Sequence, residues 1–184
     1  DLVQVFPTSS AIQLRSLAVS EISNGRIATD TANITPPDFS KLTSNPVMQN
    51  ILQRRWSETL ICINNGAPLA ATVMMGAMLE ALFISKINTL NDKSPLFKLK
   101  ATPLDNNKKP LPLQEWKLKS LIEVAEEMKW IRRPAKEVSV VIRDYRNFIH
   151  PERELSTGIN IEKEDTAMFW IIFTTLATQI IDSI

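Results

Sequence analysis

The sequence contains one histidine, His150, at the end of the run Arg143-Asp-Tyr-Arg-Asn-Phe-Ile-His150. An imidazole titrates near neutral pH and can carry a proton in either direction. Arg143 and Arg146 supply fixed cations suited to phosphate or carboxylate, while Asn147 and Asp144 supply hydrogen-bonding groups. At about 100° per residue of helix, Lys136, Arg143, Arg146, Asn147 and His150 fall on one side. Val138, Val141, Ile142, Tyr145, Phe148 and Ile149 fall on the other, and Asp144 belongs to neither. The plain consequence is a solvated stripe whose cations gather near a helix C-terminus, where the helix dipole favours them. Helix propensity gives Asn147 no reason to be there, however. A cation, an amide and a proton carrier about one turn apart form a candidate site for chemistry on an anion.

Other chemistries are excluded by what is scarce. Four glycines, at 25, 66, 76 and 158, leave no P-loop, dinucleotide fingerprint or nucleophile elbow, so nucleotide hydrolysis and serine-hydrolase chemistry are not expected. Cys62 is the only cysteine, which rules out an internal disulfide. With His150 it cannot make a four-ligand zinc site within one chain, so no metal or cofactor is expected, and Cys62 reads as a buried small hydrophobe. A net charge of +1 predicts no global attraction to polyanions, so any nucleic-acid binding must come from a local patch. Glu123, Glu126 and Glu127 lie opposite an apolar stripe and read as a solvated face rather than a metal site. Glu80 is the sole charge in the apolar run 67–84. It reads as a partly exposed edge residue, with an arginine of the motif helix as the alternative partner.

These residues need elements to hold them. The chain has 184 residues, 44% hydrophobic and 22% charged, a composition ordinary for one globular domain. Residues 1–45 are rich in Ser, Thr, Asn and Pro with one weak helical pattern over 10–22, and are expected to be an N-terminal arm or linker. Asn45-Pro46 is an N-cap followed by proline at the first helical position, predicting a helix over Pro46–Asn64. Gly66 stops it and Pro68 opens a second helix to about 89, antiparallel to the first. Residues 91–112 have loop chemistry, with a short strand expected at Phe97-Lys-Leu-Lys. Further helices are predicted over 113–130, over 134–150 and from about 162 to the end, with a loop through Gly158 between the last two. The expected fold is all-α: an up-and-down helical bundle over 46–184 with an irregular N-terminal arm. Residues 67–84 and 167–181 are apolar but short or interrupted for a membrane span, and both read as core helices. No secretory signal is recognised, so a soluble, cytoplasmic protein is expected.

The run Arg143-Asp144-Tyr-Arg146-Asn147-Phe-Ile-His150-Pro resembles the signature of the HEPN superfamily, in which an arginine and a polar follower precede a histidine on the last core helix but one. The signature has four to six intervening residues: Arg143 with Asp144 gives six and matches it, while Arg146 with Asn147 gives three, a second phasing that departs from the pattern and leaves the identity of the key arginine open. The likeness extends more loosely to the helical segments over 71–82 and 121–131 and spans residues 46–184. It implies a HEPN-like bundle and, as in many members, a metal-independent endoribonuclease of defence or toxin type. In that case His150 is the acid/base, and Arg143 and Arg146 steady the phosphate. Asn147 or Asp144 orients the histidine or the 2'-hydroxyl, and Lys136, Arg132 and Arg133 extend the phosphate track. It also implies a homodimer that brings two histidines to one cleft, RNA as substrate, and a partner or antitoxin protein. A catalytically silent dimerisation or partner-binding module is the alternative. The apolar residues around the last helix, Met168, Phe169, Trp170, Ile171, Ile172 and Phe173, point to a dimer interface there or on the motif helix.

Overall fold

In the computed structural model, which describes residues 13 and 35–183, the first helix begins as its cap requires. Asn45 Oδ1 accepts hydrogen bonds from the backbone N–H groups of Val47 at 2.9 Å and Met48 at 3.3 Å. These are donors that a helix start otherwise leaves unpaired. Six α-helices follow among the described residues: α1 (Pro46–Asn64), α2 (Pro68–Asn88), α3 (Leu118–Glu127), α4 (Arg133–Tyr145), α5 (Pro151–Thr157) and α6 (Lys163–Asp182). Short 3-10 turns stand at Phe39–Lys41, Ser94–Lys98, Leu113–Glu115 and Arg146–Ile149. The described residues contain no strand, only an isolated bridge between Leu104 and Pro110. The expected all-α class is therefore what is found.

Contacts between helix ends fix their directions. Gly66, at φ +68°, turns the chain between α1 and α2, so that these run antiparallel. The Lys86 ammonium, near the end of α2, donates to the Ser183 carbonyl just past α6 at 2.7 Å, so α2 and α6 finish together. The Arg132 N–H at the start of α4 donates to Gln179 Oε1 at 3.1 Å, whereas Tyr145 at its end packs on Phe169 of α6 with ring centroids 5.2 Å apart. Helix α4 thus runs against α6. Helix α2 is central and touches α1, α3, α4 and α6. Lys86 itself is buried, 5.6 Å from the Trp130 ring centroid, and burial pushes its ammonium below the usual lysine range.

The core explains several departures from expectation. Met168, Phe169, Trp170 and Phe173 are all buried inside one chain, because α6 is packed by α1, α2 and α4. Four of the six apolar residues expected at an interface are therefore core, while Ile171 and Ile172 are half-exposed. Phe39 and Leu42 are buried in the same core, so the boundary at residue 45 falls too late: 39–42 already belong to the bundle. The pattern expected over 10–22 lies outside the described residues except for Gln13. Phe97-Lys-Leu-Lys begins in the Ser94–Lys98 turn and forms no strand; buried Leu96 and the 2.6 Å bond from Thr102 Oγ1 to the Leu96 carbonyl hold that turn. Helix α3 starts at Leu118 and not 113, and the loop expected before Gly158 contains α5. Cys62 is half-buried against the core. Helix α2 is long and apolar enough to cross a membrane, but half of its most apolar window is buried within the bundle.

Trp56 sits where α1 meets α6, edge-on to Trp170 at 4.8 Å and near Phe173 at 5.4 Å. Trp56→Ala should cost about 3–5 kcal/mol in chemical denaturation through the cavity it leaves. Val47→Ala, at an exposed position of the same helix, should stay within about 0.5 kcal/mol.

Candidate active site

Helix α4 stops at Tyr145, one residue before the second arginine. Pro151 bars the helical run from continuing past His150, since the residue before a proline is kept out of the α region. His150 accordingly has φ −90° and ψ 111°, and the intervening residues tighten into the 3-10 turn Arg146–Ile149. In such a turn residues three apart eclipse each other, so the 100° wheel fails past 145. Ile149, assigned to the apolar side, is instead 54% exposed, whereas Phe148 is buried and stacks on Tyr145 with ring centroids 5.2 Å apart.

The turn lies across α2. Together they enclose a shallow concavity of about 350 Å³ lined by Val73, Ala77 and Glu80 of α2 and by Arg146, Asn147, Ile149 and His150. The Arg146 Nη1 donates to Glu80 Oε2 at 2.9 Å across 66 residues of sequence. Both side chains are about one-third exposed, at 30% and 34%. Glu80 is thus both partly exposed and paired. Gly76 makes this seat: a Cβ there would lie 2.6 Å from Arg146 Cδ and 3.0 Å from its Cβ. The arginine lies flat on α2 because position 76 has no side chain.

The remaining predicted residues divide. Asn147 is half-buried and His150 exposed, both in the concavity. Arg143 is not presented beside them as a free cation: its Nε donates to Asp144 Oδ1 at 2.8 Å, and its side chain is only 16% exposed. Asp144, left off both faces by the wheel, is buried, and its Oδ2 has no hydrogen-bond partner among the described residues. Lys136 does not extend a phosphate track from His150. It pairs with Glu126 at 3.0 Å in a second concavity, of about 540 Å³, whose lining also includes Lys100, Glu123 and Lys129. The acidic face of α3 is engaged there, Glu127 accepting the backbone N–H groups of Lys100 at 3.1 Å and Ala101 at 2.9 Å. It is therefore not simply solvated. Arg132 and Arg133 are exposed at the start of α4, at the opposite end of that helix from His150. Among the described residues no three His, Cys, Asp or Glu side chains cluster as a metal site.

The stripe of cations therefore resolves into carboxylate pairs, and only Arg146 shares the concavity with His150. Gly76, four residues before the only carboxylate of α2, was the legible sign of the Glu80–Arg146 seat.

Gly76→Ala tests it. In an unobstructed helix the change gains up to about 1 kcal/mol. Here it should lower the melting temperature, because the turn must lift from α2. In an Arg146→Ala background, where the 2.6 Å contact is gone, the penalty should shrink, giving a coupling energy in the double-mutant cycle. Stabilisation by Gly76→Ala in the otherwise unchanged protein would contradict the close approach.

Compared with protein-family models, with curated proteins and with solved structures, the chain finds no match in any of the three.

Proposed function

We propose that the chain is a HEPN-like endoribonuclease that cleaves RNA through attack of the 2'-hydroxyl on the adjacent phosphate. The observation that carries this reading is that its only histidine is exposed on a concavity also lined by Arg146 and Asn147. Such cleavage asks for a proton carrier, a cation at the phosphate and a hydrogen-bonding group that holds the sugar or the imidazole. His150, Arg146 and Asn147 are of those three types. On this reading Arg146, although its three-residue separation from His150 departs from the signature, is the cation at the phosphate, and Arg143 is structural, because Arg143 already serves a buried carboxylate. The reaction as written uses side chains alone. A defence or toxin role in the cytoplasm, with an antitoxin protein as partner, accompanies this proposal.

A second reading, a dimerisation or partner-binding module without catalysis, is favoured by one observation. Ala70 and Ala77 of α2 are exposed, Val73, Met74, Ala81 and Ile84 beside them are half-exposed, and nearby in sequence to the site Ile149 and Leu155 are exposed at 54% and 86%. Apolar groups repeated along one side of a helix mark a surface that a partner covers. A homodimer through α2 is compatible with either reading.

His150→Ala should abolish cleavage of single-stranded or transfer RNA in EDTA while leaving the melting temperature within a few degrees, since the side chain is exposed. Arg146→Ala should lower kcat on the order of 10²- to 10³-fold. Arg143→Ala should act differently, lowering stability by roughly 3 kcal/mol because it strands the Asp144 carboxylate. Wild-type protein that leaves RNA intact yet sediments as a dimer of twice 20.8 kDa would sink the nuclease reading in favour of the module.

A further inference from the structure

Cleavage by the 2'-hydroxyl needs two proton-transfer groups, one to accept and one to donate, and this chain has one histidine. The second group need not come from another copy. Glu80 lines the same concavity as His150, is about one-third exposed and is the sole carboxylate among the lining residues. It reaches that place from a different element, α2, in an otherwise apolar stretch of helix, and Gly76 and Arg146 fix it there. We infer that Glu80 is a catalytic residue, the proton acceptor for the 2'-hydroxyl, so that one chain carries both proton-transfer groups of the reaction. This inference rests on the endoribonuclease reading above.

The step balances with these groups alone. The Glu80 carboxylate takes the 2'-hydroxyl proton as O2' forms its bond to phosphorus. The bond from phosphorus to O5' breaks, and the His150 imidazolium gives its proton to the departing O5'. The products are a 2',3'-cyclic phosphate and a 5'-hydroxyl, with no change of oxidation state. Arg146 serves both partners, since a guanidinium has five N–H donors and only its Nη1 is engaged with Glu80. The others are available to a phosphate oxygen, and charge building on that oxygen draws the guanidinium away from Glu80 as the carboxylate receives its proton. The charged and titratable groups lining this carboxylate's concavity are Arg146 and His150, both from the turn. A concavity of about 350 Å³ is of the size that admits a ribose and its phosphate.

Glu80→Gln separates this from a purely structural role, because glutamine keeps the shape and a hydrogen-bond acceptor for Arg146 but cannot take the proton. Its kcat on a single-stranded RNA should fall on the order of 10²- to 10⁴-fold with KM little changed. The acidic limb of the wild-type pH–rate profile should vanish while the alkaline limb, belonging to the imidazolium, remains. Glu80→Asp should recover part of the rate together with the acidic limb. It also supplies the test if the glutamine variant does not fold. Wild-type protein that cuts while Glu80→Gln stays within about twofold, or keeps the acidic limb, overturns the inference and leaves the endoribonuclease reading standing, with the second histidine supplied by another copy. Glu80→Asp that folds as the wild type does yet recovers no cleavage overturns it likewise. Wild-type protein that cuts no RNA removes the reading and this inference together.

Discussion

The approach of the Arg146–Ile149 turn to α2 governs the face on which the candidate chemistry sits. Helices packed through ordinary side chains keep their axes 8–10 Å apart. At Gly76 a side chain is absent and the aliphatic stem of Arg146 occupies the volume a Cβ would fill. Three consequences follow from that one contact. The guanidinium is carried along α2 by one helical turn, the rise between positions 76 and 80, to where Glu80 can accept from it. The end of α4 is pinned to the central helix, so His150 leaves the bundle at a defined place. The concavity exists because the turn lies over α2 without filling the space beside Val73 and Ala77.

Pairing of the charges then decides what kind of surface this is. The Glu80–Arg146 pair is one-third exposed, so its Coulombic worth is a fraction of a kcal/mol to about 1 kcal/mol, and geometry is its main contribution. The Arg143–Asp144 pair is different in kind. Its carboxylate side chain is 2% exposed, so removing Arg143 leaves a buried charge whose desolvation is not offset. Two arginines three residues apart thus have separate duties, one holding α4 together with its own neighbour and one bridging to another helix. With Lys136 committed to Glu126 as well, the motif side of α4 presents alternating pairs and not a continuous positive field.

How much of this the sequence disclosed depends on how local each determinant is. The α1 and α2 boundaries were legible to within a residue, since Asn45, Pro46, Gly66 and Pro68 act through their immediate neighbours. The all-α class followed from helical periodicity, and Pro151 announced the end of the motif helix. The wheel failed from residue 146 onward because a 3-10 turn rotates each residue by about 120°, which moved Ile149 outward. Helix α5 was missed because Pro151–Thr157 is too short to show a period, and Phe97-Lys-Leu-Lys was misread because alternation over four residues does not distinguish a strand from a turn with one buried leucine. A motif-helix arginine as partner of Glu80 was open as one of two readings, but the partners of Arg143 and Lys136 were not legible. Nothing within one turn of Arg146 names Glu80, which lies 66 residues away. The cover over α6 was invisible for the same reason, so Met168, Phe169, Trp170 and Phe173 were not legible as core residues.

An ion-paired concavity also places a condition on whatever enters it. A group that brings only negative charge must draw Arg146 from Glu80 and leave the carboxylate facing an anion, so the attraction gained at one atom is lost at the next. A group that brings only hydrogen-bond donors satisfies Glu80 and offers Arg146 nothing. A ribonucleotide brings both: phosphate oxygens for the guanidinium, and beside them a 2'-hydroxyl that donates to the carboxylate. The 2'-hydroxyl is also the feature that distinguishes RNA from DNA at a given site. On the proposed reading the Glu80–Arg146 pair therefore acts as a filter as well as a scaffold. It suppresses indiscriminate binding of polyanions, in keeping with a chain of net charge +1. Selectivity then rests on a neighbouring acceptor and donor in fixed register, which Gly76 makes available by having no side chain.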